Sequence, residues 1–251
     1  MAAWGKALGL LLLLTTAAWA QGPSVRLGAV QDWVYDPRKP DAALQGPGLE
    51  VARAAFGVRG MEVDFQVLSQ GQCLAQVRSG ALPACVAVLR STGMDETDLL
   101  WPLRPMFKVV PKIYALASKP APRQAVRTRD LEGRRVAFNH GQSHGPEFDS
   151  NLRVQRLLAG SEQQAFLLLQ RERADYAIAL DFVARVLWLK QPQLEAQFRV
   201  VGWALPTEVY TVFSRRHPQG ERLLQEFEAG LQQLAELGSL QSIENGWAAG
   251  F

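Results

Sequence analysis

Four short stretches of this sequence combine residue types and spacing that could hold a small solute. Trp33 and Tyr35 lie two residues apart in a Pro-punctuated stretch that includes Pro37, Pro40 and Pro47. An aromatic pair in such a loop either offers a flat wall to a ligand or packs beneath the loop. Asp32 and Asp36 in the same stretch read as surface turn residues. Arg90, Ser91 and Thr92 place a guanidinium and two hydroxyls directly after the apolar run Cys85 to Leu89. Gly141, Gln142, Ser143 and His144 precede Pro146, so amides and a hydroxyl ahead of a helix could hold an anion. An ordinary capped loop explains the same residues equally well. Asp181 follows the apolar run Ala177 to Leu180, with Arg185 four residues on. It either faces a ligand or caps the helix that begins there.

Other chemistries lack their residues. His140 and His144 have the spacing of a metal pair on a helix, but Gly141 and the loop context oppose that geometry. Only Glu147 and Asp149 lie near enough to complete a set, so no metal site is expected. No GxSxG, GxGxxG, HExxH or phosphate-loop pattern occurs, so neither an enzyme nor a cofactor is expected. Basic and acidic residues are interleaved at a net charge of +3, and the densest basic stretch, Arg123 to Arg135, also holds Asp130 and Glu132. Nucleic-acid binders concentrate their charge instead.

The elements that must position these residues follow from periodicity. Met1 to Ala20 has one charge at Lys6, an apolar run Ala7 to Leu14 and small residues around Trp19. That pattern is a cleavable signal peptide, residues 1–20, too short to span a bilayer, and it places the protein in the periplasm. Beyond it, Ser24 to Val30 reads as a strand and Leu49 to Phe56 as a helix ending near Gly57 or Gly60. Met61 to Leu68 alternates as a strand, Gln72 to Ser79 is a helix stopped by Gly80, and Cys85 to Leu89 is a buried strand. This β-α-β-α-β order predicts a parallel sheet with helices on its faces. Cys73 and Cys85 would then lie at opposite ends of a helix–strand unit, roughly 10 Å apart. That is beyond disulfide reach, and two buried free thiols are expected.

The second half repeats the style. Arg135 to Asn139, Ala177 to Leu180, Phe198 to Trp203 and Val209 to Ser214 read as strands. Helices are predicted from Pro146, over Ser161 to Arg171, Phe182 to Lys190 and Arg222 to Leu237. Two α/β lobes are expected, residues 21–111 with 206–251 and residues 112–205, joined through Tyr114 to Val126 and Trp203 to Tyr210.

In this order the landmarks resemble family 3 of the extracellular solute-binding proteins that serve amino-acid ABC transporters. Gly48-Leu49-Glu50-Val51-Ala52 opens the first helix, and Pro105-Met106-Phe107 precedes the first crossing. Asp130-Leu131-Glu132-Gly133-Arg134-Arg135-Val136-Ala137 opens the second lobe, and Arg173-Ala174-Asp175 leads into a later strand. The resemblance covers Ser24 to Trp247. It implies the two-lobed periplasmic binding protein fold of type II, each lobe a mixed sheet flanked by helices, with a two-segment hinge. It also implies a monomer that captures a small polar solute between the lobes and presents it to an ABC permease. Two residues depart from the pattern. The carboxylate-binding arginine, in a Thr-x-x-Arg phrase, is absent from Ser91 to Asp98, and Leu180 stands where the ammonium-binding aspartate would be. The alternatives are therefore a sensory or accessory protein working with a membrane sensor, or a dehydratase-type enzyme using Glu96, Asp95 or Asp181.

Overall fold

Alternation of apolar and polar residues turns Ser24–Val30 into strand β1, and Gly46-Pro47 ends the loop that follows by starting helix α1, Pro47–Gly57. Leu49, Val51, Ala52, Ala55 and Phe56 give α1 one fully buried face. Strand β2 is Glu62–Leu68. Helix α2, Gln70–Ser79, carries a capping box between Ser69 and Gln72 and ends on left-handed Gly80 (φ 79°). Strand β3, Ala84–Leu89, is buried throughout. These assignments come from a computed structural model that describes residues 24–34, 44–90, 94–140 and 143–249. The expected signal peptide, Tyr35, Asp36, Ser91, Thr92, Gly141 and Gln142 lie outside the described residues.

The rest of the chain supplies strands β4 (Leu99–Leu100), β5 (Phe107–Val109), β6 (Pro111–Leu116) and β7 (Arg135–Asn139). Helix α3 (Pro146–Asp149), β8 (Gln155–Ala159), α4 (Glu162–Gln170), β9 (Tyr176–Leu180) and α5 (Asp181–Lys190) follow. After α6 (Pro192–Glu195) come β10 (Phe198–Trp203), β11 (Thr207–Ser214), α7 (Gly220–Glu236) and α8 (Ser239–Ala249).

Two sheets result. The first has order β2-β1-β3-β11-β4, with β5 also on β11; the second has order β10-β6-β9-β7-β8. β1 is parallel to β2 and β3, and β7 is parallel to β8 and β9. β11 and β6 enter their sheets antiparallel. Each sheet is therefore mixed, with helices on its faces. The chain passes from the first sheet to the second between Val109 and Pro111 and returns between Trp203 and Thr207. The first crossing is thus ahead of the expected Tyr114 to Val126 segment, because Tyr114 is inside β6, paired with Ala177 and Val200.

The two cysteines form a disulfide, with Cα atoms 5.9 Å apart, which corrects the expectation of free thiols. The reason is Gly28. It pairs with Cys85 across β1 and β3, and a Cβ there would sit 2.5 Å from Cys73 Sγ. The missing side chain lets the first turn of α2 drop onto the sheet over β3, which the helix and strand lengths alone do not reveal.

Candidate functional site

Parallel strands in open sheets gather ligand sites at their carboxyl ends. β1 ends in a 3-10 turn, Gln31–Trp33, whose Trp33 is fully buried. The Trp33 ring stacks on Phe182, centroids 5.9 Å apart and planes 10° apart, and meets the Phe107 ring edge-on at 5.9 Å. Phe182 stands in the first turn of α5, directly after β9, and also meets Trp247 of α8 edge-on at 5.8 Å. Trp247 Nε1 in turn donates to Glu50 Oε2 at 2.7 Å. A continuous row of rings therefore ties the end of β9 in the second sheet to the end of β1 in the first. Leu180, the last residue of β9, is fully buried in the core of the first sheet's lobe.

A second meeting of strand ends is polar. Glu162 begins α4 after β8, yet it is only 4% exposed, because Ser161 takes the capping role through its bond from Gln164 N. Asn139, the last residue of β7, donates Nδ2 to Glu162 Oε2 at 2.9 Å. Glu162 Oε1 is buried with no hydrogen-bond partner. Burial, joined by the negative charge of Asp32 from the other sheet, pushes the Glu162 carboxyl up to about 7. Two acids from opposite lobes thus act on one another at the strand ends. Sequence reasoning placed Asp32 on the surface and overlooked Glu162; a Ser-Glu pair at a helix start looks like capping chemistry.

The sequence-predicted residues divide. Trp33 sits at the junction, but as a buried stacking partner. Arg90, expected to face a ligand, donates to both carboxylate oxygens of Glu96 at 2.6 and 2.7 Å and lies over the Trp101 ring at 4.9 Å. Its pKa is raised first by that bond. Its positive charge is spent within its own lobe. The described members of the expected anion loop, Ser143 and His144, make local contacts. Ser143 Oγ donates to Asp149 Oδ2 at 2.6 Å and accepts from Gly145 N. The His144 ring is fully buried, edge-on to Phe138 at 5.5 Å and Phe148 at 6.0 Å. Helix α3 beyond them is one turn long, and a single turn has little dipole to offer an anion. Asp181 is the first residue of α5, makes no cap, and accepts from Arg185 at 2.6 Å and Tyr114 at 3.4 Å. Among the described residues no group of three or more His, Cys, Asp or Glu is arranged to hold a metal ion.

No family model and no curated protein sequence matches the chain. Solved structures do. An ancestral arginine-binding protein bound to arginine is 18% identical with a TM-score of 0.69, over 90% of this chain and 99% of that chain. A histidine kinase sensor domain with similarity to periplasmic binding proteins is 19% identical at a TM-score of 0.69, over 90% and 96%. The VFT2 domain of BvgS from Bordetella pertussis is 17% identical at 0.71, over 90% and 93%. The fold is therefore that of the two-lobed periplasmic binding proteins, as the sequence resemblance implied.

Proposed function

We propose that this chain is an extracytoplasmic solute-binding protein that takes a small polar solute with a cationic end between its lobes. The lobes in this reading are residues 21–111 with 206–251, and residues 112–205. The observation that carries it is buried Glu162 beyond β8, whose Oε1 has no hydrogen-bond partner among the described residues and whose carboxyl also feels the negative charge of Asp32 from the end of β1. A cation beside the Glu162 carboxyl would favour its charged form. Such a cation would displace the proton from Glu162 and satisfy Oε1, which is buried without a hydrogen-bond partner. Arg90 is neutralised by Glu96, so an α-carboxylate finds no free guanidinium there. The Cys73–Cys85 disulfide supports an oxidising, extracytoplasmic location. A non-enzymatic role is supported by the acid–base candidates: Glu96 is held by Arg90, Asp181 by Arg185, and Asp95 by the Thr97 amide.

Delivery to an ABC permease is the first reading of that binding role. A sensory role is the second. It is favoured by the ring row Trp33–Phe182–Trp247, which joins the lobes and suits a protein that reports the arrangement of its lobes rather than releasing cargo.

Calorimetric titration of the chain from Gln21 onward with arginine, putrescine and glutamate tests the site. Arginine or putrescine binds and glutamate does not. The double variant Asp32→Asn, Glu162→Gln binds the cation at least about tenfold more weakly, the scale of one charge-assisted hydrogen bond. No heat with either cation, or undiminished binding by the double variant, overturns the reading.

A further inference from the structure

A cavity of about 400 Å3 opens beside the two chain crossings, apart from the Asp32–Glu162 pair. Five pieces of chain line it: Trp33 after β1, the start of α1 at Pro47 and Val51, the crossing segment from Phe107 to Lys112, the end of β9 with the first turns of α5, and the face of α8 that carries Glu244 and Trp247. Its size suits a small molecule. Its walls are aromatic, with Phe107, Phe182 and Trp247 around the Trp33 indole.

The polar groups in it are unevenly spent. Arg185 pairs with Asp181 at 2.6 Å, and Lys108 pairs with Glu208 at 3.2 Å, outside the cavity. Lys112 lines the same wall half-buried and makes no ion pair or side-chain hydrogen bond among the described residues. Trp33 is fully buried, and its Nε1 has no hydrogen-bond partner. A buried N–H donor left alone forfeits on the order of 1–3 kcal/mol until an acceptor arrives. Glu244, on the α8 side of the cavity, makes no ion pair among the described residues, and burial raises its pKa. Two of the groups there, the Lys112 ammonium and the Trp33 indole N–H, are donors set beside aromatic walls.

We infer that this cavity is a second ligand site, for a small monocarboxylate with an aromatic or branched apolar body. Lys112 meets the carboxylate, the Trp33 N–H is the second donor, and the body lies against Phe107, Phe182 and Trp247. The site draws residues from both lobes and from the crossing between them. Its occupant therefore pins the angle between the lobes, whatever the strand-end site holds.

Phenylacetate is the probe, with acetate (the charge alone) and phenethylamine (the ring with opposite charge) beside it, in titration calorimetry of the chain from Gln21 onward. Phenylacetate binds one to one; acetate and phenethylamine bind at least tenfold more weakly. Lys112→Met and Trp33→Phe, the latter keeping a ring but losing the donor, each weaken phenylacetate, the first at least tenfold. Lys112→Arg retains it. Asp32→Asn, Glu162→Gln leaves phenylacetate binding as in the parent chain, and Lys112→Met leaves arginine binding as in the parent, so the two sites stand or fail separately. The inference is overturned by no phenylacetate binding, by equal binding of phenethylamine, by loss of phenylacetate in the Asp32, Glu162 variant, or by undiminished binding in Trp33→Phe. That last variant decides the matter even if Lys112→Met does not fold.

Discussion

A carboxyl group that folding keeps protonated leaves a signature in stability. In the unfolded chain Glu162 titrates near the ordinary value of about 4.3; folded, it titrates at about 7, with desolvation the larger cause and Asp32 the smaller. Between these values the folded state binds more protons than the unfolded one, so stability falls as pH rises through that window. The loss is on the order of 3 kcal/mol from pH 4.5 to pH 7. Glu162→Gln keeps an oxygen for Asn139 and removes the ionisation. Thermal unfolding of both proteins across pH 4.5–8 should show a decline in the parent that the variant lacks, and a higher midpoint for the variant at pH 8. Parallel curves would sink this account. Little of it was legible in the sequence. A charged residue at a helix start predicts a solvated cap; Ser161 does cap the helix, as a serine there suggests, but nothing local announces that Glu162 turns inward. The ion pair of Arg90 was illegible for the same reason: its partner Glu96 is six residues away, in a stretch without periodicity.

Elements with strong periodicity were legible nearly to the residue. β1, β2 and β3 follow the expected strands, and α2 ends at Gly80 as expected. The failures come where one element touches another. β6 was hidden because Pro111 and Lys112 interrupt an apolar run; Pro111 is tolerated as the first residue of its strand. The disulfide was hidden because the space above Gly28 belongs to a neighbouring strand, not to the helix–strand unit that carries the cysteines. The bridge closes a loop with a sequence separation of 12, for which the chain-entropy relation gives about 3 kcal/mol of stabilisation. Urea unfolding of Cys73→Ala, Cys85→Ala should therefore show a loss of about that size, with the same fold by circular dichroism. An unchanged midpoint would mean the bridge constrains nothing that matters.

At the scale of the whole molecule, the two-lobed order of strands was legible while the state of the lobes was not. A hinge of two crossings permits an open form, and only contacts between lobes decide how much of it is populated. Phe182 decides much of that here. It leaves the second sheet at β9 and packs between Trp33 and Trp247, and Leu180 just before it is buried in the other lobe's core. These contacts, beside the crossing where Pro111 pairs with Leu180, help to hold the two lobes in one arrangement. A solute then shifts the lobes only by its additional preference for that arrangement, and the shift is small if closure is already dominant. Removing the ring reverses the order. In Phe182→Ala the stack is broken, the open population rises, and small-angle scattering from the chain from Gln21 onward gives a radius of gyration above that of the parent, for which a compact chain of this length predicts roughly 17 Å. Adding a cation that binds at the strand ends should bring the variant back towards the parent value while leaving the parent itself unmoved. If variant and parent scatter alike, the rings are packing without consequence, and closure must be governed by the crossings themselves.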